Sequence, residues 1–164
     1  MLTAGEFCNR DVVIATPEER IPEVARRMRD EHVGCVVVVE DSAKGRVPKG
    51  IVTDRDIVVG LVAASTAELE RAQVRDMLSG TLYTAKEGAD LYEVMTIMRG
   101  RGIRRVPVVD DDGLLQGLIS FDALLDHFAM ELTRLSLVLE RERDLERRHG
   151  TPRSEAAGPH SPKV

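Results

Sequence analysis

The chain has no tryptophan, three phenylalanines and two tyrosines in 164 residues. Surfaces that stack nucleic-acid bases are built from such rings, so their scarcity speaks against one here. A basic excess is missing too: 23 Lys and Arg stand against 28 Asp and Glu, a formal net charge of −5. A general nucleic-acid binder needs a basic face to displace counterions, and that class is set aside. No apolar run approaches the length of a membrane span. Residues 1–11 lack a basic start followed by an apolar stretch, so no secretory signal is visible. The two cysteines, Cys8 and Cys35, lie far apart and fit no metal spacing. The expectation is a cytoplasmic protein with reduced thiols. His32, His127, His149 and His160 have no clustered partners at ligand spacing, so no metal site is expected. Neither a G-x-S-x-G elbow nor a P-loop occurs, and an enzyme is not expected.

What is present is a repeat. Ile21, Glu23, Val24 and Met28 face Leu91, Glu93, Val94 and Met98, each pair 70 positions apart. Val33 to Glu40 (VGCVVVVE) faces Ile103 to Asp110 (IRRVPVVD) at the same offset. Past a polar turn three residues longer in the first copy, the offset becomes 67, and Gly50-Ile51-Val52-Thr53 faces Gly117-Leu118-Ile119-Ser120. Two small units of this kind share a core and leave a cleft between them.

Each unit reads β-α-β-β-α. Val12 to Ile14 reads as a strand. Thr16-Pro17-Glu18 reads as a helix start, with Thr16 as cap and apolar residues at helical spacing over 18–31. Cys35 to Val39 reads as a strand buried on both faces. Asp41 to Lys49 reads as a turn, Ile51 to Thr53 as a strand and 54–63 as a helix. In the second copy, Leu82 to Ala85, Val106 to Val109 and Leu115 to Ser120 read as strands, and 89–100 as a helix. The Asp110 to Gly113 acidic run falls in a turn, where Asp is favoured for backbone reasons. The division expected is 6–64 for repeat one, 65–76 for a linker helix opened by Ser65-Thr66-Ala67-Glu68, 77–129 for repeat two, 130–149 for a helical extension and 150–164 for a disordered tail. Phe121, Leu125, Phe128, Leu132, Leu135 and Leu139 form a coiled-coil-like seam, whose far half asks for a partner chain.

The sharpest local motif is Gly50-Ile51-Val52-Thr53-Asp54-Arg55-Asp56. It supports two readings. A strand end opening a helix, with a hydroxyl and a carboxylate one turn in, suits a nucleotide's phosphate and ribose. Thr53 with Asp56 also has the spacing of a helix capping box. In its repeat context, with Ile103-Arg104-Arg105-Val106-Pro107-Val108-Val109 in the second copy, the pattern resembles a pair of CBS domains (a Bateman module) over roughly residues 6–130. The resemblance implies an α+β fold of tandem β-α-β-β-α repeats packed about a pseudo-twofold axis, here with a long C-terminal helix. It implies clefts that bind adenosyl compounds such as AMP, ADP, ATP, NAD or S-adenosylmethionine, with Mg²⁺ alongside ATP. Carried over, the first cleft uses Ile51, Thr53 and Asp56 for the ribose side. Thr81, Leu82, Tyr83 and Ile103 surround the base. Arg104 and Arg105 face the phosphates, with Arg55 as a further contact. Neighbouring strand residues face opposite ways, so Arg105 is preferred over Arg104. Tyr83 reads equally well as a half-buried strand residue.

In the second cleft Ser120 keeps the hydroxyl, but Ala123 replaces the acid, and Val33, Gly34 and Cys35 stand where Ile103, Arg104 and Arg105 do. One competent site per chain is expected, the second being empty or taking a less polar ligand. The function expected is a nucleotide-sensing regulatory module, a homodimer that acts on an unidentified protein target. The rivals are a ligand-independent scaffold with a vestigial pocket and a thiol switch at Cys35.

Overall fold

The computed structural model describes residues 2–63 and 69–148. The Ser65–Glu68 capping box and the tail from residue 150 therefore lie outside the described residues. In chain order the elements are α1 (Ala4–Phe7), β1 (Ile14–Ala15), α2 (Ile21–Asp30), β2 (Cys35–Ser42), β3 (Gly45–Thr53) and α3 (Asp54–Ile57). A π-helical stretch, Val58–Val62, follows α3. Then come α4 (Val74–Met77), β4 (Ala85–Lys86), α5 (Leu91–Arg101), β5 (Arg105–Val109), β6 (Leu115–Ser120) and α6 (Phe121–Arg148).

The chain divides after Leu124. The first unit holds two three-stranded sheets, ordered β1-β2-β3 and β4-β5-β6. In each, the first strand runs parallel to the second and the second antiparallel to the third. The repeat extends to register: Ala15 pairs with Val38, and Ala85 with Val108. Even the irregularities match, the ladder slipping between Val38 and Val39 and again between Val108 and Val109. Ile21, Val24 and Met28 form the buried stripe of α2, and Leu91, Val94 and Met98 that of α5. Val36 to Val39 are all at most 1% exposed, which is why that run carries no polar residue. Fully burying one such side chain stabilises by roughly 1.5–3 kcal/mol.

The two halves exchange their leading segments. The α1 segment packs into the second repeat's core: Ala4 and Gly5 donate to the carbonyls of Ala89 and Glu87, and Asn9 bridges to Leu118. The segment at α4 joins the first repeat's core through Ala72 and Val74, with Val74 and Arg75 donating to Glu19 and Pro17. Sequence reading missed α1, although Thr3 and Glu6 form the capping box that could have revealed it.

Several boundaries differ from expectation. Thr16 to Glu19 form a turn, in which Glu19 N donates to Thr16 O, and α2 starts only at Ile21. The β1 and β4 strands begin later than read because pairing reaches only Ile14–Ala15 and Ala85–Lys86. The expected turn at Asp41 to Lys49 is mostly hairpin, since pairing runs out to Ser42 and Gly45. Gly45 allows this tight reversal with a φ of 143°.

The second unit, from Leu125, is the remainder of α6 as far as it is described. Leu132, Leu135 and Leu139 are 67%, 63% and 54% exposed. No helix among the described residues is long and apolar enough to cross a membrane.

Candidate functional site

Two clefts open where the repeats meet within the first unit. One, of about 150 Å³, is lined by Ile51 with Lys49 and Gly50 from β3, by Leu78 to Tyr83, and by Ile103 and Arg105. It thus brings together Ile51, Thr81, Leu82, Tyr83, Ile103 and Arg105. Lys49, Leu78, Ser79 and Gly80 were not read from the sequence; the exchange of the α4 segment into the first repeat puts Leu78 beside Gly50.

Thr53, Arg55 and Asp56 stand apart, at the head of α3 rather than in the cavity wall. The capping-box reading of Thr53 and Asp56 describes their geometry. Asp56 Oδ2 accepts from Thr53 N at 2.9 Å and from Thr53 Oγ1 at 2.7 Å, while Asp56 N donates back to Thr53 Oγ1 at 3.1 Å. Both bonds that the carboxylate accepts from Thr53 fall on Oδ2, and Asp56 is exposed. Thr53→Ala should therefore cost about 1 kcal/mol of stability. A urea melt of the ligand-free protein checks this, and an unchanged midpoint would mean the cap carries no weight.

The two arginines separate as strand alternation requires. Arg104 turns away from the cleft, pairs with Asp122 at 2.9 Å, and lines a different, apolar groove with Tyr92, Met95 and Phe121. The expectation that it faces the phosphates together with Arg105 does not fit this placement. Arg105, at the start of β5, lines the first cleft and reaches across to repeat one. A Cβ built on Gly34 would lie 3.6 Å from its Nη2 and 3.3 Å from Asp54 Oδ2. Tyr83 is half-buried, and its ring carries the Arg101 guanidinium at 4.5 Å, a cation–π contact that spacing in the sequence does not signal.

The second cleft, about 270 Å³, is lined by Asn9, Asp11, Val12, Val13, Val33, Cys35, Leu118, Ser120 and Ala123, with Phe7 at one side. Leu118, Val33 and Cys35 are the repeat equivalents of Ile51, Ile103 and Arg105. Among the described residues, no lysine or arginine lines it. Burial pushes the Cys35 thiol above its ordinary pKa, and the nearby Arg105 charge and hydrogen bond pull part of the way back. Among the described residues, no group of three or more His, Cys, Asp or Glu could hold a metal ion.

Known proteins with this arrangement share a family. The family model of the CBS domain matches residues 4–63 and again 74–130. An uncharacterized protein of Methanopyrus kandleri is 34% identical over 124 residues, 76% of this chain, which spans 61% of that relative's length. A CBS-domain containing protein of Agrobacterium tumefaciens superposes with a TM-score of 0.62 at 32% identity, covering 73% of this chain and 90% of that one. The cytosolic domain of the Mg²⁺ channel MgtE, solved in complex with ATP, superposes with a TM-score of 0.62 at 25% identity, covering 76% of this chain and 48% of that one. With two matched repeats, shared registers and paired clefts, this chain belongs to the CBS domain family.

Proposed function

We propose that this CBS pair senses an adenine nucleotide of the AMP, ADP, ATP or NAD class and passes its occupancy on through conformation or dimer packing. The observation that carries the reading is Arg105, a cation at a cleft built from both repeats and lined by the hydroxyl-bearing Thr81 and Tyr83. The ATP complex of the MgtE relative supports the ligand class. The cavity, at about 150 Å³, is smaller than the roughly 300 Å³ of pockets that enclose a whole drug-sized ligand. It takes the base, and ribose and phosphates lie at its mouth. There Asp56 accepts from the ribose hydroxyls through Oδ1 while Oδ2 keeps the cap, because a carboxylate has acceptor sites on both oxygens. Arg105 meets the phosphates, with Arg55 as an outer contact, and Mg²⁺ accompanies ATP. A ligand that favours one packing of the repeats shifts the population toward it, which is the whole of the signal. The action is regulatory rather than catalytic, takes place in the cytoplasm, and reaches an unidentified protein target.

The test is a thermal-shift panel of AMP, ADP, ATP, NAD and S-adenosylmethionine. A ligand at 100 times its Kd should add about 2.7 kcal/mol of stability; a flat panel sinks the sensor. One observation favours the scaffold instead: Thr53 and Asp56 satisfy each other through the helix cap. Under that reading, stability is the same with and without every nucleotide.

The dimer rests on α6. Residues 121–133 carry three acids, Asp122, Asp126 and Glu131, and no Lys or Arg, whereas 134–148 carry five arginines against four acids. Two copies side by side and antiparallel bring unlike charge together; parallel copies oppose like charge. Leu132→Glu with Leu139→Glu should make the protein monomeric in sedimentation equilibrium without lowering the first unit's stability. A dimer that survives both changes removes this seam from the interface.

A further inference from the structure

The Tyr83 ring lines the Ile51 cleft, and the Arg101 guanidinium lies over that ring at 4.5 Å from its centroid. Arg101 itself stands outside the cleft wall, so whatever it does for a ligand passes through the ring. It is the last residue of α5, and Gly102 caps the helix there, its N–H donating to Met98 O. Ile103, the next residue, is back in the cleft wall. We propose that Arg101 is a positioning residue for base recognition, its cation holding the Tyr83 ring in place as one wall of the base pocket before the ligand arrives. This rests on the nucleotide reading of the Ile51 cleft and adds how the base, rather than the phosphate, is held.

An arginine at a helix C-terminus also has a plainer use, since it offsets the partial negative charge of the last carbonyls. The two repeats separate these uses. Helices α2 and α5 end alike, each passing into a residue of positive φ, His32 at 54° and Gly102 at 65°. Both carry an arginine at the same place in the last turn, Arg29 and Arg99. That shared arginine serves the helix end. The residue just before the positive φ is not shared: it is Glu31 in the first repeat and Arg101 in the second. The difference follows the clefts. Val13, in the wall of the Leu118 cleft, stands where Tyr83 stands in the wall of the Ile51 cleft. Ring and cation are thus both present at the cleft that holds Arg105 and both absent at the other. A side chain that must be ordered when a ligand binds subtracts from affinity, and a ring fixed in advance avoids that loss. A cation–π contact at an exposed site is worth about a two- to fivefold change in an equilibrium constant, which bounds what the pin can lend to binding.

The test is made in the full-length protein, with AMP and adenosine as probes and affinity read by calorimetry. Arg101→Gln is expected to weaken both by the same factor, about two- to fivefold. Arg101→Lys, which keeps a cation for the ring, should recover part of the loss. Arg99→Gln, the same change at the same helix end, should leave both affinities as they are. In a Tyr83→Leu background, Arg101→Gln should have no further effect, because the ring it acts through is gone. A loss confined to AMP would mean that Arg101 acts as a charge on the phosphate, and would overturn the positioning role. A second readout needs no ligand. Tyr92→Phe leaves Tyr83 as the sole tyrosine of a chain without tryptophan, so its fluorescence anisotropy reports the ring alone. Arg101→Gln should lower that anisotropy, and an unchanged value would mean that the ring is not held by Arg101. If wild type binds AMP and Arg101→Gln changes nothing, the positioning role is wrong and the nucleotide reading stands. If wild type binds neither AMP nor any member of the nucleotide panel, both fall together.

Discussion

Arg105→Gln is expected to weaken binding of a phosphate-bearing adenine nucleotide by about ten- to a hundredfold while leaving adenosine within a factor of about three. The argument starts from strand geometry. Of the two adjacent arginines, only Arg105 lines the Ile51 cleft, because Arg104 points the other way and is held by Asp122. A hydrogen bond to a charged group is worth roughly 1.5–3 kcal/mol, which spans that range of affinity. Glutamine keeps a polar donor but loses the charge and about two bonds of reach, so the loss reads both together. Arg104→Gln serves as the control and should change nucleotide affinity less than about threefold. Equal losses in both variants would mean that the effect is the general field of two positive charges. Asp56→Ala is a poorer probe than its place in the motif suggests. It removes a ribose acceptor and the α3 cap together, so its effect on stability must be measured without ligand first.

The second large effect concerns stability. Gly117→Ala should cost about 3 kcal/mol and lower the melting temperature by on the order of 10 °C. A Cβ there would sit 2.3 Å from Cys8 Sγ and 2.8 Å from the Asn9 carbonyl oxygen. Asn9 and Leu118 exchange backbone hydrogen bonds of 3.0 and 2.9 Å, which tie the α1 segment to β6. The new methyl cannot be accommodated without moving that backbone. Its repeat equivalent, Gly50, makes a sharp comparison. A Cβ on Gly50 would meet Leu78 Cδ2 at 2.5 Å, the far end of a side chain that can rotate away. Gly50→Ala should cost roughly 1 kcal/mol or less, yet change ligand affinity, since Leu78 lines the Ile51 cleft. Equal destabilisation by the two substitutions, in urea melts, would show that the α1 exchange contributes nothing at Gly117.

These two glycines show how much the residues alone could say. Their correspondence at offset 67 was legible, as were the sheets, the α2 and α5 stripes and the preference for Arg105 over Arg104. All of these follow from short-range rules: period 2 in a strand, period 3.6 in a helix, and a repeat that copies both. Cys35, Val33, Ser120 and Ala123 were also foreseen as one wall of a second cleft, and they line one. By contrast, no pattern in the residues around Gly50 and Gly117 says that one faces a side chain and the other a backbone.

The same limit applied at the motif. Thr53-x-x-Asp56 satisfies two chemistries with one spacing, and only coordinates show that the carboxylate caps α3 through Oδ2. The exchange of α1 and α4 between the repeats, the Arg101 contact on Tyr83 and the approach of Arg105 to Gly34 belong to the same class. The sequence by itself determined the doubled β-α-β-β-α order and the buried faces, because those depend on periodicities within a few residues, whereas the place of the two clefts came only through the resemblance to CBS pairs. The tertiary structure alone decided which leading segment packs on which repeat and which side chains meet across the pseudo-twofold axis. Those contacts join residues far apart in the chain, and their geometry is set by how two packed cores fit, which no local pattern encodes.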